Sequence, residues 1–135
     1  MPTERTAFGL KAGEGKGSHQ ISFRGTKIAV KVSKEDSEDR FTLLEIIHPP
    51  HVGPALHIHP DAPEAYYVLE GEYQIVVGKE SRVGNKRQVY DVKTGDFVFI
   101  PKGLEHKYRS GPAGGKVLVI SPAGLEKYFI EVADI

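Results

Sequence analysis

The chain of 135 residues contains no cysteine, no tryptophan and a single methionine. The lack of cysteine excludes disulfides, thiolate metal ligands and a cysteine nucleophile, so a metal site could use only nitrogen and oxygen donors. Basic and acidic residues number 18 each, and without a basic excess we expect neither nucleic acid nor a membrane surface as a partner. No apolar run approaches the roughly 20 residues that cross a bilayer, and Met1–Arg5 lacks the apolar core of a secretion signal, so a cytoplasmic protein is expected.

Glycine and proline, 15 and 9 residues, separate short apolar alternations along most of the chain. This distribution is typical of many short strands joined by tight turns. The candidate strands are 28–32, 41–47, 56–59, 65–69, 73–77, 87–92, 97–100, 106–109 and 117–120. They predict an all-β sandwich or barrel.

The two ends of the chain differ from this pattern. The glycine-rich segment Gly13–Ser18 is too polar to hold structure alone, so residues 1–25 are predicted to form a flexible arm ahead of a single domain at 26–135. At the other end, apolar residues recur at three- and four-residue spacing after Ser121 and Pro122. Ser121 is a candidate cap and Pro122 suits a first turn, so we predict one short helix that covers an open end of the domain.

Three histidines and one glutamate supply the ligand types of a divalent metal site. His57 and His59 stand two apart in a candidate strand, so both side chains project from one face. The proline-bounded turn that follows lets Glu64 return on the next strand, and His106 arrives from a later one. Imidazole nitrogen and carboxylate oxygen suit Fe, Mn, Ni, Cu or Zn, so these four residues are the predicted ligands. Asp61 is a rival carboxylate, but its place in the proline-bounded turn favours capping or solvent exposure.

Strand alternation also predicts which neighbours of the ligands line the pocket. If Glu64 and His106 point inward, so do the residues at even spacing from them, which are Tyr66, Val68, Tyr108 and Ser110. Glu64, Tyr66 and Tyr108 are the candidate catalytic residues, since a phenol hydroxyl could orient a substrate or O2; the alternative is that both tyrosines only pack. The remaining histidines are interpreted as packed or solvated residues: His19, His48 and His51.

The two ligand segments resemble the paired motifs of the cupin superfamily. The first motif is matched by His57, His59, Glu64 and Gly71, and the second by Gly95, Pro101, Gly103 and His106. The resemblance extends from near Ile28 to the C-terminus and implies an antiparallel double-sheet jelly-roll barrel with the ligands in its lumen. It also implies a homodimer, in which a partner would cover outward side chains such as Ile58, Tyr67 and Leu69.

A site with three nitrogen ligands and one oxygen ligand is typical of non-haem oxygenases, so dioxygenase-type chemistry on a small organic substrate is the leading hypothesis. The run His59–Glu64 resembles the corresponding stretch of germins, and Tyr67–Gly71 resembles quercetin-dioxygenase-like small cupins. Two alternatives stay open. One is a non-catalytic module that binds a sugar or another small molecule; the other is a sugar isomerase or epimerase, for which His48 is the only spare base.

Overall fold

The computed structural model describes residues 6–18, 20–54, 57, 59, 62–78 and 87–134. This part of the chain forms seven antiparallel strands and one α-helix. The strands are β1 (Gln20–Phe23), β2 (Thr26–Val32), β3 (Thr42–His48), β4 (Glu64–Val77), β5 (Gln88–Lys93), β6 (Phe97–Ile100) and β7 (His106–Ser121), and the helix is α1 (Leu125–Val132). The predicted all-β architecture with a short C-terminal helix is confirmed. Within the described residues, no helix has the length and apolar composition needed to cross a membrane.

The longest strands, β4 and β7, pair along their lengths as one antiparallel ribbon of 14 and 16 residues. The sequence predicted two short strands in place of each. Register shifts interrupt the pairing on both sides of Gly71, and there the ribbon bends. Gly71 has φ of 89°, and a Cβ at this position would lie 2.6 Å from the Gly114 carbonyl oxygen. The bend therefore requires glycine at position 71.

The bend divides the ribbon between two layers that face each other. In one layer the first half of β4 pairs with β6 and with the end of β7, and the order is β1-β2-β3-β7-β4-β6. In the other layer the second half of β4 pairs with β5 and with the start of β7. The facing sides bury the apolar core, which includes Ile28, Leu44, Val68, Ile75, Ile100, Val117 and Val119. The result is the double-sheet barrel that the family resemblance implies.

The sheet begins before the domain boundary predicted at residue 26. β1 pairs with β2 through residues that the sequence assigned to the flexible arm, and Ile21 is buried in the core. The preceding segment is also held to the sheet. Lys31 Nζ donates to the carbonyl oxygens of Lys11 and Glu14 at 2.8 and 2.7 Å, and Glu45 accepts from the Gly13 amide. Residues 11–14 therefore lie against the barrel through contacts that a local composition argument does not detect.

The predicted C-terminal helix is confirmed, but its cap is not Ser121. α1 starts after Gly124, which has φ of 99° and makes no side-chain cap bond. The Ser121 hydroxyl donates instead to the Thr42 carbonyl, and the Thr42 hydroxyl donates to the buried Glu126 carboxylate at 2.6 Å. Two apolar side chains of α1 pack against the core, Leu125 and Phe129. The helix is thus attached to β3 and packs against the core.

Candidate metal centre

The bent ribbon brings together ligands from its two opposite ends. His106 pairs with Val77 at the end of β4, whereas Glu64 is the first residue of that strand. In a flat ribbon these 14 residues of β4 would separate the two side chains by about 40 Å. In the folded chain His106 Nε2 lies 3.0 Å from Glu64 Oε1. The fold-over at Gly71 therefore creates the site.

The other two histidines enter beside the start of β7. The amide of His57 donates to the His106 carbonyl at 2.9 Å, and the amide of His106 donates to the His57 carbonyl at 2.8 Å. This reciprocal pair places the two imidazole centroids 4.2 Å apart. His59 is fixed by its carbonyl, which accepts from the Gly103 amide at 2.9 Å. The predicted outward residue Ile58 and the rival carboxylate Asp61 lie outside the described residues.

The four predicted ligands form a group that could hold a metal ion. One ligand atom from each of His57, His59, Glu64 and His106 lies within 4.8 Å of all the others. Ligand atoms about 2.0–2.2 Å from a shared metal lie at most about 4.4 Å apart. The group would therefore need to contract by only a few tenths of an ångström around an ion.

The lone pairs of these side chains also fit a cation. His106 Nδ1 lies 3.0 Å from the Leu104 carbonyl oxygen, so Nδ1 carries a hydrogen and a neutral ring presents the bare Nε2 to Glu64. Two acceptors 3.0 Å apart repel unless a proton or a metal ion lies between them. His59 Nε2 is buried without a hydrogen-bond partner among the described residues, although it lies 3.3 Å from Glu64 Oε2. These side chains fit a divalent metal ion.

The Glu64 carboxylate stays ionised despite its burial. Burial alone would raise its pKa, but in the metal-free chain a proton on the facing nitrogen of His106 or His59, together with the Tyr66 hydroxyl, outweighs burial and lowers the pKa of Glu64 to about 2. The Tyr66 hydroxyl donates to Glu64 Oε1, and burial and the adjacent carboxylate raise the pKa of Tyr66 well above its ordinary value. The contact with Glu64 in turn raises the pKa of His59. Tyr66 is therefore a protonated donor that orients the carboxylate.

A family model described as "Cupin domain" matches residues 43–121, which is more than half of the chain. The chain belongs to the cupin family. The matched region runs from β3 to the end of β7 and contains all four candidate ligands. The family predicted from the two motifs is therefore confirmed, and the closer likeness to quercetin-dioxygenase-like members is untested. No curated protein matches the chain.

Solved structures share the cupin fold at low sequence identity. An oxalate decarboxylase of Bacillus subtilis, described for its Mn(II) centres, superposes with a TM-score of 0.68 at 19% identity, over 92% of this chain and 33% of that one. A second structure of the same enzyme, determined at pH 4.6, has the same score and identity over 87% and 31%. Drosophila melanogaster CENP-C bound to CAL1 has a TM-score of 0.61 at 16% identity, over 78% and 76%. The cupin chain thus spans about a third of the length of the decarboxylases.

Three of the candidate ligands of this cupin, His57, His59 and Glu64, line a cavity of about 1000 Å³. Tyr66 and Tyr108 line it, as predicted. The other two predicted lining residues do not. Val68 packs in the core, and the Ser110 hydroxyl donates to the Pro49 carbonyl at 2.6 Å and accepts from the Val52 amide at 3.0 Å. Ser110 therefore holds the loop that precedes the ligand segment.

His48 is packed, which is one of the two interpretations that the sequence left open, and it lines the same cavity. It is buried, with Nδ1 2.7 Å from the Tyr73 hydroxyl and Nε2 3.0 Å from the Tyr108 hydroxyl, and burial lowers its pKa to about 4. The sequence analysis followed strand parity only from Glu64 to Val68 and did not reach Tyr73, which lies after the bend, where odd-numbered residues of β4 face inward. His51 is exposed, and His19 lies outside the described residues.

Proposed function

We propose that this cupin is a metal-dependent oxygenase of the dioxygenase type that acts on a small organic substrate in the barrel lumen. The observation that supports this proposal most strongly is the convergence of the four ligand atoms within 4.8 Å beside a cavity of about 1000 Å³. Four protein ligands leave coordination positions for O2 and substrate on Fe, Mn, Ni or Cu, whereas Zn would favour a non-redox role. The likeness of Tyr67–Gly71 to quercetin-dioxygenase-like cupins agrees with it.

The bound metal would supply the activation of O2 and of the substrate. The protein supplies orientation and proton control. The Tyr66 hydroxyl donates a hydrogen bond to Glu64 Oε1. This bond keeps that carboxylate oxygen directed at His106. Glu64 would accept a proton if a substrate displaced it from the metal. Tyr108, which lines the same cavity, is the second hydroxyl available to a substrate.

The two alternative functions differ in what they require of His48. An isomerase or epimerase needs a base beside the metal, but both ring nitrogens of His48 already face tyrosine hydroxyls, and burial lowers its pKa to about 4. These contacts disfavour His48 as that base. A non-catalytic binding module would use the same ligands and cavity, so it remains the alternative to the oxygenase.

Oxygen consumption separates the oxygenase from the binding module. The protein is reconstituted anaerobically with Fe(II) or Mn(II) and exposed to O2 with flavonols, diketones or thiols, and substrate-dependent uptake is expected. Glu64→Gln should abolish uptake, whereas Glu70→Gln, the same change on the exposed side of β4, should not. Metal content is measured in each variant. A protein that retains metal and a small molecule but consumes no oxygen with any metal would be the binding module.

We also propose that the protein is a homodimer. The outer face of the larger layer exposes an uncharged patch where β6, β4 and β7 are adjacent, formed by Tyr67, Phe97, Phe99 and Ile120. An apolar patch of this kind is complementary to its own copy across a twofold axis. Light scattering should give a dimer mass, and Phe97→Glu should give a monomer that keeps its metal. The cytoplasmic location stays a prediction.

A further inference from the structure

A cluster of one histidine and two tyrosines lies beside the cavity, beyond the candidate ligands: His48 and Tyr73 are buried and Tyr108 is partly buried. His48 lies between two hydroxyls, 2.7 Å from that of Tyr73 and 3.0 Å from that of Tyr108. The Tyr108 ring is 5.2 Å from the Tyr66 ring, and Tyr66 donates to Glu64. The cluster is therefore one aromatic ring away from the candidate metal ligand. We call these three residues the His48 cluster.

The His48 cluster has three polar hydrogens but only two hydrogen bonds among its members. A neutral imidazole carries one N–H, and the two phenols carry one O–H each. Only two hydrogen bonds join the three groups, and neither hydroxyl has another partner among the described residues. One of the two hydroxyl hydrogens therefore has no acceptor within the cluster, and the tautomer of His48 decides which one.

Packing indicates that Tyr108 carries the hydroxyl hydrogen that has no acceptor within the cluster. Tyr73 is only 3% exposed, and its hydroxyl end lies against Gly115, where an added Cβ would be 2.9 Å from the hydroxyl oxygen. A buried O–H without an acceptor is costly, so Tyr73 donates to His48 Nδ1. His48 then carries its hydrogen on Nε2 and donates it to the Tyr108 oxygen. Tyr108 lines the cavity, so its hydroxyl hydrogen is available for a hydrogen bond to a molecule bound in the lumen.

We propose that Tyr73 and His48 hold the Tyr108 hydroxyl as a donor directed into the lumen, and that this hydroxyl binds a carboxylate or carbonyl oxygen of the substrate. This inference rests on the proposed function, because the metal would bind another oxygen of the same molecule. Tyr108 touches the substrate, whereas His48 and Tyr73 are positioning residues. A substrate that offers only ammonium hydrogens at this position would leave two donors facing each other.

The tautomer of His48 tests the positioning part without any metal. In the metal-free, ¹⁵N-labelled protein at neutral pH, long-range proton–nitrogen correlation spectra should show His48 with hydrogen on Nε2 and a bare Nδ1. Tyr73→Phe removes only the hydroxyl that requires this tautomer, so the Nδ1–H form should become populated. A wild-type His48 with hydrogen on Nδ1 would overturn the proposal, as would a tautomer that Tyr73→Phe leaves unchanged.

Ligand affinity tests the binding part. Zn(II)-loaded protein is titrated with pyruvate, which offers both a carboxylate and a carbonyl oxygen. Tyr108→Phe should weaken binding roughly tenfold or more, the loss expected for a hydrogen bond to a charged acceptor. Tyr73→Phe should weaken it as well, although this residue does not line the cavity. Tyr90→Phe, at an exposed position of β5, is the matched control and should bind normally.

The outcomes distinguish this inference from the proposed function. Wild-type protein that fails to retain Zn(II), Fe(II) or Mn(II) would contradict the metal-dependent function, while the tautomer measurement would still stand. Protein that retains Zn(II) but shows no saturable pyruvate binding, or equal affinity in Tyr108→Phe and wild type, would overturn the assigned substrate class.

Discussion

Two histidine-containing clusters face one lumen and have opposite hydrogen-bonding deficits. In the ligand cluster, His106 Nε2 and the ionised Glu64 both present lone pairs, and His59 Nε2 lacks a hydrogen-bond partner among the described residues. In the His48 cluster one imidazole and two hydroxyls carry three hydrogens, of which the two hydrogen bonds use only two. The first arrangement favours a cation and the second an acceptor oxygen. Their proximity indicates that the lumen is organised for a metal together with an oxygen-rich ligand.

The clusters differ in the partners of their buried histidines, because His106 faces the Glu64 carboxylate and His48 faces two hydroxyls. A carboxylate beside an imidazole stabilises positive charge, as the raised pKa of His59 beside Glu64 shows. Hydroxyl partners provide no such charge, so burial is left to lower the pKa of His48 to about 4. The same residue type is therefore a candidate ligand in one cluster and a neutral hydrogen-bond bridge in the other.

The largest expected effect is a loss of metal from the ligand cluster that leaves the His48 cluster unchanged. His106→Ala removes one of four ligand groups, and we expect metal affinity to fall by more than about 100-fold, since even outer-shell changes cost 10- to 100-fold. The tautomer of His48 should stay as in wild type. Calorimetric titration with Zn(II) and elemental analysis measure the loss, and Lys107→Ala, at the exposed neighbouring position, is the control. Unchanged metal content in His106→Ala would exclude the proposed site.

Acid should destabilise the His48 cluster before it affects Glu64. The pKa of His48 is about 4 in the folded chain, against an ordinary value of 6.5, so the unfolded chain takes up the proton first as pH falls. The contribution of His48 to the unfolding free energy is fully present above pH 6.5 and is lost as the pH falls from 6.5 to about 4. The loss amounts to about 3 kcal/mol. The lowered pKa of Glu64 gives stability that is lost only between pH 4.5 and about 2.

Urea unfolding of the metal-free protein across this pH range measures the effect. The slope of the unfolding free energy against pH between 6.5 and 4 should be smaller in His48→Gln than in wild type, because glutamine does not titrate. Equal slopes in the two proteins would show that His48 is not held neutral by burial.

Local patterns predicted the elements and the ligands but not the bend that joins them. Alternation located the strands within a few residues, and i, i+2 spacing correctly paired His57 with His59, because both patterns depend only on neighbouring residues. The fold-over at Gly71 depends on a close approach to Gly114, more than 40 positions away in the sequence. No local sequence pattern predicts that contact.

The errors concern residues whose contacts are distant in the sequence. Ser110 keeps the inward parity of His106, but its hydroxyl holds the 49–52 loop and does not line the cavity. Tyr73 lies after the bend, where the inward residues of β4 change from even to odd numbers. Ser121 is not the helix cap, because α1 is attached through Thr42 and Glu126, which are 84 positions apart in the sequence. A glycine flanked by long alternating segments is the one sequence signal that could have indicated a change of parity.

The smallest expected effect comes from Gly115→Ala, which disturbs the His48 cluster and leaves the ligand cluster intact. An added Cβ would lie 2.6 Å from the Tyr73 ring, so the ring must move away from His48. Overpacking of this kind costs about 1–3 kcal/mol of unfolding free energy. We also expect a mixed His48 tautomer and normal Zn(II) affinity. Gly9→Ala, where no atom lies within 4 Å of the added Cβ, is the control and should behave as wild type. If Gly115→Ala instead lowered metal affinity as strongly as His106→Ala, the two clusters would form a single unit and their contrasting roles would have to be abandoned.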